Sequence, residues 1–138
     1  MTNDQTIALD TSAIFAILAF EPEAALFTAL ITRRQTLVGA PTLVEARLVM
    51  ERLSDEPEHD LRTFLDRSEA TIVSFDKIMF EAAADAFHHF GKGRGHPAKL
   101  NFGDCLAYAV AKVHAVPLLF EGNDFIHTDL VPAYNPRA

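Results

Sequence analysis

Thr6-Ile7-Ala8-Leu9-Asp10-Thr11-Ser12 carries the chain from a short apolar strand into an apolar helix spanning Ala13 to Phe20. A strand that is apolar throughout is buried on both faces, the habit of parallel sheets covered by helices on either side. The rest of the chain repeats the alternation. Glu21-Pro22-Glu23 breaks the first helix and opens a second, since proline suits a first helical position and acids suit an N-terminal turn. Leu26, Phe27, Leu30 and Ile31 give that helix its stripe, and it ends near Arg33-Arg34. Thr36 to Ala40 is the second strand, ended by Pro41. Thr42-Leu43-Val44-Glu45 then opens a helix to about Leu53, with Leu43, Ala46, Met50 and Leu53 on one side.

Beyond a polar break at Ser54 to Glu58, Leu61, Phe64 and Leu65 mark a shorter helix, and Thr71 to Phe75 is a third strand rich in β-formers. Asp76 caps a helix with Met79, Ala83, Ala86, Phe87 and Phe90 at helical spacing. Three glycines and a proline make Gly91 to Lys99 a loop. Asn101 is a good N-cap for the next helix, whose apolar stripe reads Phe102, Leu106, Ala109, Val110 and Val113, with Asp104 off that face. Val116 to Phe120 is a fourth strand, Glu121 to Asp124 a turn, and Leu130-Val131 a short edge strand. The pattern predicts an α/β fold with a parallel sheet covered on both faces.

At 138 residues the chain is sized for one domain with a real core and is short for two of ordinary size. A hydrophobic content of 49% and a charged content of 22% match soluble globular proteins. The longest strongly apolar window, Ala13 to Phe20, is far short of the roughly 20 residues of a membrane helix. No basic and apolar leader opens the chain, so the expected location is the cytoplasm, without a membrane partner. The single cysteine, Cys105, excludes an internal disulfide, in keeping with a reducing compartment. A net charge of -7 argues against coating nucleic acid through the overall field, but not against a nuclease with acids clustered at a metal and a local basic segment.

Four acids, Asp10, Glu45, Asp104 and Asp124, accompany the starts of helices and turns. Each has a bland reading. Asp10 is a helix cap, Thr42-x-x-Glu45 matches a capping box, Asp104 favours a helix dipole, and Asn123-Asp124 is a turn pair. The combination points elsewhere. In an open parallel sheet, ligands sit outside the carboxyl ends of the strands, where Asp10, Glu45 and Asp124 fall. Asp104 joins them only by inference from the fold.

Two carboxylates about 5 Å apart at an effective dielectric of about 20 repel by roughly 3 kcal/mol, or around two pKa units. Four ionised acids therefore need protons or a cation between them. All-oxygen ligands suit Mg²⁺ or Mn²⁺ and not Zn²⁺. Such an ion supplies hydroxide for attack on phosphorus while a second carboxylate orients or deprotonates the water. Ser12, two residues after Asp10, is equally a cap or a group for a phosphate at a helix start.

Ala8-Leu9-Asp10-Thr11-Ser12-Ala13, Thr42-Leu43-Val44-Glu45, Gly91 to Ala98 with Leu100 to Cys105, and Gly122-Asn123-Asp124-Phe125 together resemble a PIN-domain ribonuclease, and more narrowly the VapC toxins of type II toxin–antitoxin modules. Lys92 to Tyr108 is the most specific part. The resemblance implies one domain over residues 1–138, a three-layer α/β/α PIN-like fold with a central parallel sheet of four to five strands, and a Mg²⁺-dependent endoribonuclease site. It also implies a homodimer and a small cognate antitoxin, VapB, that blocks the site. Asp10, Glu45 and Asp104 match the family's three acidic positions. The fourth falls on Asp124, with Asp129 as a substitute.

Lys92, Arg94 and Lys99 sit in a loop without acids, beside His96, and are the expected contacts to RNA phosphates. A solvated loop or an antitoxin contact uses the same charges. Cys105, among Leu106, Ala107 and Val110, reads as a buried inert thiol. The six histidines show no zinc-ligand spacing, and His88-His89 reads as helix surface. Two alternatives remain. A haloacid-dehalogenase-type phosphohydrolase needs a second aspartate where Ser12 stands. A catalytically silent PIN scaffold that acts only by binding its partner would be supported by a missing acid, and all four are present.

Overall fold

Strands β1 (Thr6–Leu9), β2 (Gln35–Gly39), β3 (Thr71–Val73) and β4 (Leu118–Leu119) form one parallel sheet, ordered β3-β2-β1-β4, in the computed structural model, which describes residues 6–134. The polar leader ahead of Thr6 lies outside those residues. Register pairs Ile7 with Thr36, Leu37 with Thr71 and Ala8 with Leu118. Side chains alternate as a pleat demands: Ile7, Leu9, Val38 and Leu119 enter one core, Ala8 and Leu118 the other.

Helices α1 (Thr11–Leu18), α2 (Ala24–Thr32), α3 (Ala40–Met50) and α4 (Pro57–Ser68) cover the first core; α5 (Lys77–Phe90) and α6 (Phe102–His114) cover the second. The expected three-layer α/β/α fold is present. Strand order reverses between β1 and β4, so the crevice at their carboxyl ends is the topological switch point, where such sheets bind ligands. Among the described residues no helix is long and apolar enough to cross a membrane.

Several boundaries differ from expectation, each for a local reason. The helix containing Leu61 and Phe64 is a full twelve residues, because Pro57 starts it and Glu58 and Asp60 favour its first turn. β4 shrinks to Leu118–Leu119, since Pro117 lacks an amide to donate. The expected edge strand at Leu130-Val131 is a single bridge between Leu118 and Pro132, held by the Leu118 amide on the Val131 carbonyl at 3.0 Å. The α6 stripe also differs: Phe102 is 79% exposed and Val113 is exposed, while Gly103, Cys105 and Ala107 to Ala111 are buried. Small side chains let α6 press against β1, β2, α3 and α5 at once. At the end of β2, a Cβ on Gly39 would meet Val110 of α6 at 2.8 Å, so a bare backbone lets the two elements approach.

Candidate active site

Asp10 leaves β1 and caps α1. Its Oδ2 accepts from the Ser12 amide at 3.0 Å and the Ser12 hydroxyl at 2.6 Å, so the cap reading is true as far as it goes. A cap at the surface needs no burial, yet Asp10 is only 4% exposed. That burial pushes its carboxyl up to about 6; Ser12 pulls it back and the charge of Glu45 adds to the rise. The Ser12 hydroxyl also accepts from the Glu121 amide at 3.0 Å, which ties the segment after β4 to the start of α1.

Glu45 is not half of a capping box. α3 begins earlier than expected, at Ala40, with Gly39 as its N-cap and no side-chain cap bond. The Thr42 hydroxyl is buried without a partner among the described residues. The Glu45 carboxylate reaches across to α1, where Thr11 Oγ1 donates to its Oε1 at 2.6 Å. On its other side it lies over the backbone of Gly103, where a Cβ would strike both carboxylate oxygens.

Asp104 does form a capping box: its amide donates to Asn101 Oδ1 at 2.8 Å and its Oδ2 accepts from the Asn101 amide at 3.0 Å. Burial pushes the carboxyl up to about 7. The Asn101 amide lowers it, and the charges of Asp10, Asp124 and Glu45 raise it.

These three acids, from three separate elements, line one cleft of about 430 Å³ beside the switch point. Ser12, Glu21, Arg52 and Glu121 line it too. Asp124 opens a 3-10 turn, Asp124–His127, anchored by the buried Phe125; it is exposed and outside the lining, but its charge reaches Asp104. Asp129 is committed elsewhere, accepting from Tyr108 Oη at 2.6 Å and Lys112 Nζ at 2.7 Å. A larger hollow of about 660 Å³ between α1, α2, α3 and α4 has a mainly apolar wall and gathers no group of acids.

Lys92, Arg94 and Lys99 are exposed and do not line the cleft. Arg94 turns its guanidinium to the His88 carbonyl at 3.3 Å and the His88 ring at 3.1 Å. Cys105 is buried, and burial with the neighbouring Asp104 charge pushes its thiol up to about 11, as an inert thiol requires. His88 and His89 are on the helix surface. Sequence reasoning passed over Glu21, Arg52 and Glu121. The signal for Glu121 was available, since it is the first acid after the fourth apolar strand; in the fold, burial raises its carboxyl, aided by Glu23 and Glu21. Arg52 offered no such signal.

Among the described residues no three acid, histidine or cysteine side chains close round one point as a finished metal site. The donor set still fits a hard divalent cation. Every candidate ligand is a carboxylate, and Asp10 and Asp104 are both held above the ordinary carboxylate range by burial and by neighbouring carboxylate charge, that of Glu45 on Asp10 and those of Asp10, Asp124 and Glu45 on Asp104, the condition a cation relieves.

The PIN domain family matches residues 7–130. The chain belongs to the PIN-domain family. Its relatives place this PIN domain among the VapC ribonucleases. Ribonuclease VapC42 of Mycobacterium tuberculosis is 40% identical over 128 residues, 91% of this chain and 97% of that one. VapC ribonuclease Mb0640 of Mycobacterium bovis is 38% identical over 132 residues, 94% of this chain and all of the other. In fold, the PIN domain is similar to Mycobacterium tuberculosis VapC20, a sarcin-ricin-loop-cleaving toxin, with TM-score 0.74 at 16% identity, covering 94% of this chain and 99% of that one. It is also similar to VapBC2 of Rickettsia felis bound to promoter DNA, with TM-score 0.70 at 15% identity, covering 92% of this chain and 96% of that one.

Proposed function

We propose that this single PIN domain is a Mg²⁺-dependent endoribonuclease, the toxin of a type II toxin–antitoxin pair, and that a VapB-type antitoxin restrains it by covering its cleft. One observation carries the reading: Asp10, Glu45 and Asp104, brought from the end of β1, from α3 and from α6, line a single cleft at the switch point. Three caps serving only their own helices need not share a cleft, and Glu45 caps nothing.

Asp10, Asp104 and Glu45 would hold the ion, with Asp124 at its edge and Mn²⁺ as a substitute. When bound, a divalent cation lowers the pKa of water and stabilises charge on phosphate oxygens. The chain's own residues do the rest. Ser12 fixes the Asp10 carboxylate through two donors. Thr11 occupies Oε1 of Glu45 and leaves Oε2 to accept a proton from the attacking water. The bare backbone of Gly103 gives that carboxylate its room.

Support for the antitoxin comes from the company the fold keeps, which includes a Klebsiella pneumoniae toxin–antitoxin complex and VapBC of Salmonella typhimurium bound to DNA. Exposed Ile78, Phe80 and Phe87 on α5 are apolar surface that a homodimer would cover. Lys92, Arg94 and Lys99 remain candidates for backbone contacts to RNA outside the cleft, and the cytoplasm is the location that fits such a substrate. A silent scaffold is not favoured, because the acids are present and gathered.

The test is digestion of total RNA by purified, antitoxin-free protein in Mg²⁺, beside Asp10→Asn, Asp104→Asn and an EDTA lane. Discrete cleavage lost in all three controls is the expected result. Cleavage persisting in both variants would overturn the site, and intact RNA in every lane would overturn the activity.

A further inference from the structure

Among the described residues, Arg52 is the one cation lining the acid cleft. It stands about two helical turns beyond Glu45, so Glu45, Val49 and Arg52 reach the cleft from one side of α3 and the turn that ends it. Amides of Glu51, Arg52 and Leu53 donate to the carbonyls three residues back at 3.3, 3.2 and 3.0 Å, which tightens that turn and fixes where the side chain starts. The Arg52 guanidinium makes no ion pair or hydrogen bond among the described residues, although Glu51, Asp55 and Glu56 are its neighbours in sequence. Arg47, on the same helix, binds Glu51 at 2.6 Å and Glu58 at 2.8 Å instead.

A cleft lined by Asp10, Glu45 and Asp104 repels a phosphodiester, so a strand entering it gains from a cation at the wall. A guanidinium presents a planar fork that matches two phosphate oxygens. Arg52 has that fork free, whereas Arg94 is turned to His88 and lies outside the cleft. We propose that Arg52 anchors a phosphate of the RNA strand at the cleft, holding the adjoining phosphodiester against the acids. This deepens the ribonuclease reading and rests on it.

The test uses Asp10→Asn protein, so that the probe survives, and a fluorescent single-stranded RNA of mixed sequence, with binding followed by anisotropy over a series of NaCl concentrations in Mg²⁺. Adding Arg52→Gln should weaken binding about tenfold, the loss of one charge-assisted contact. It should also lower the slope of log Kd against log salt by about 0.7, the value for one phosphate on a single strand. Arg52→Lys should keep the slope while losing part of the affinity. Lys77→Gln removes a charge paired with Glu81 at 3.3 Å on α5 and should change neither.

Equal slopes for Arg52→Gln and Lys77→Gln would overturn the proposal and leave Arg52 to an acidic protein partner. Digestion of total RNA by the chain with its own Asp10 separates the two levels. Cleavage there with an unchanged slope removes Arg52 alone, and neither cleavage nor binding removes the ribonuclease reading with it.

Discussion

Replacing Asp10 by asparagine should make the metal-free protein more stable while ending its activity. Burial first, then the Glu45 charge, lift the Asp10 carboxyl from 3.8 to about 6 in the fold, against the pull of Ser12. At about 1.4 kcal/mol per pH unit, the ionised form is disfavoured in the fold by about 3 kcal/mol. The unfolded chain sheds this proton first, so between pH 3.8 and about 6 the folded state binds more protons and stability falls as pH rises. Above about 6 the loss is complete and level. Asparagine carries no charge to desolvate and is an equally good N-cap, so it keeps the Ser12 bonds.

For 138 residues, about 2.1 cal/mol/K per residue gives an unfolding entropy near 0.29 kcal/mol/K, and about 3 kcal/mol becomes a rise in Tm of about 10 °C. Thermal unfolding in EDTA at pH 7.5 should show most of that gain for Asp10→Asn, and at pH 4 the two proteins should melt together. Mg²⁺ at about a thousand times its Kd adds about 4.1 kcal/mol to whatever binds it, so it should reverse the ranking by stabilising wild type alone. An Asp10→Asn protein that melts at or below wild type at pH 7.5 in EDTA would refute the claim that this carboxylate is held at a cost.

Gly103→Ala should cut cleavage at least tenfold, because its Cβ displaces the Glu45 carboxylate; alanine's better helix propensity should keep the protein folded, which circular dichroism checks. Asp124→Asn should lower the rate, whereas Asp129→Asn, which touches only Tyr108 and Lys112, should leave the rate alone and lower Tm slightly. Parallel digests and melts of the two variants distinguish them. Cys105, buried and pushed up to about 11, should resist a disulfide reagent at pH 8 in the native protein and react at once after unfolding.

Legibility followed the range of the interactions. β1 and the caps Asp76 and Asn101 were readable, because each depends on residues within one turn. The length of α4 was readable in principle, since Pro57 announces a helix start and the break around it hid that. Glu45 illustrates the opposite case. Its local pattern matched a capping box, but its partner is Thr11 on another helix, and only the fold brings them together. The α6 stripe misled for a related reason: large apolar residues mark a face only where one face is buried, and α6 is enclosed by small residues on several sides. Arg52 lies in a turn whose composition matches its surroundings, so nothing in the sequence singled it out.

Asp10 and Asp104 are at once candidate site acids and parts of helix starts, Asp10 as the N-cap of α1 and Asp104 as the partner of the Asn101 cap in the capping box of α6. Asparagine accepts the same helix-start bonds as aspartate and carries no charge, so on the proposed mechanism a single-nucleotide change in either codon silences the site and leaves the fold standing. If the proposed toxin reading holds, a cell burdened by the enzyme has two short mutational routes to a harmless copy that still folds and still occupies a partner. Alanine at the same positions removes cap and carboxylate together and confuses two kinds of loss.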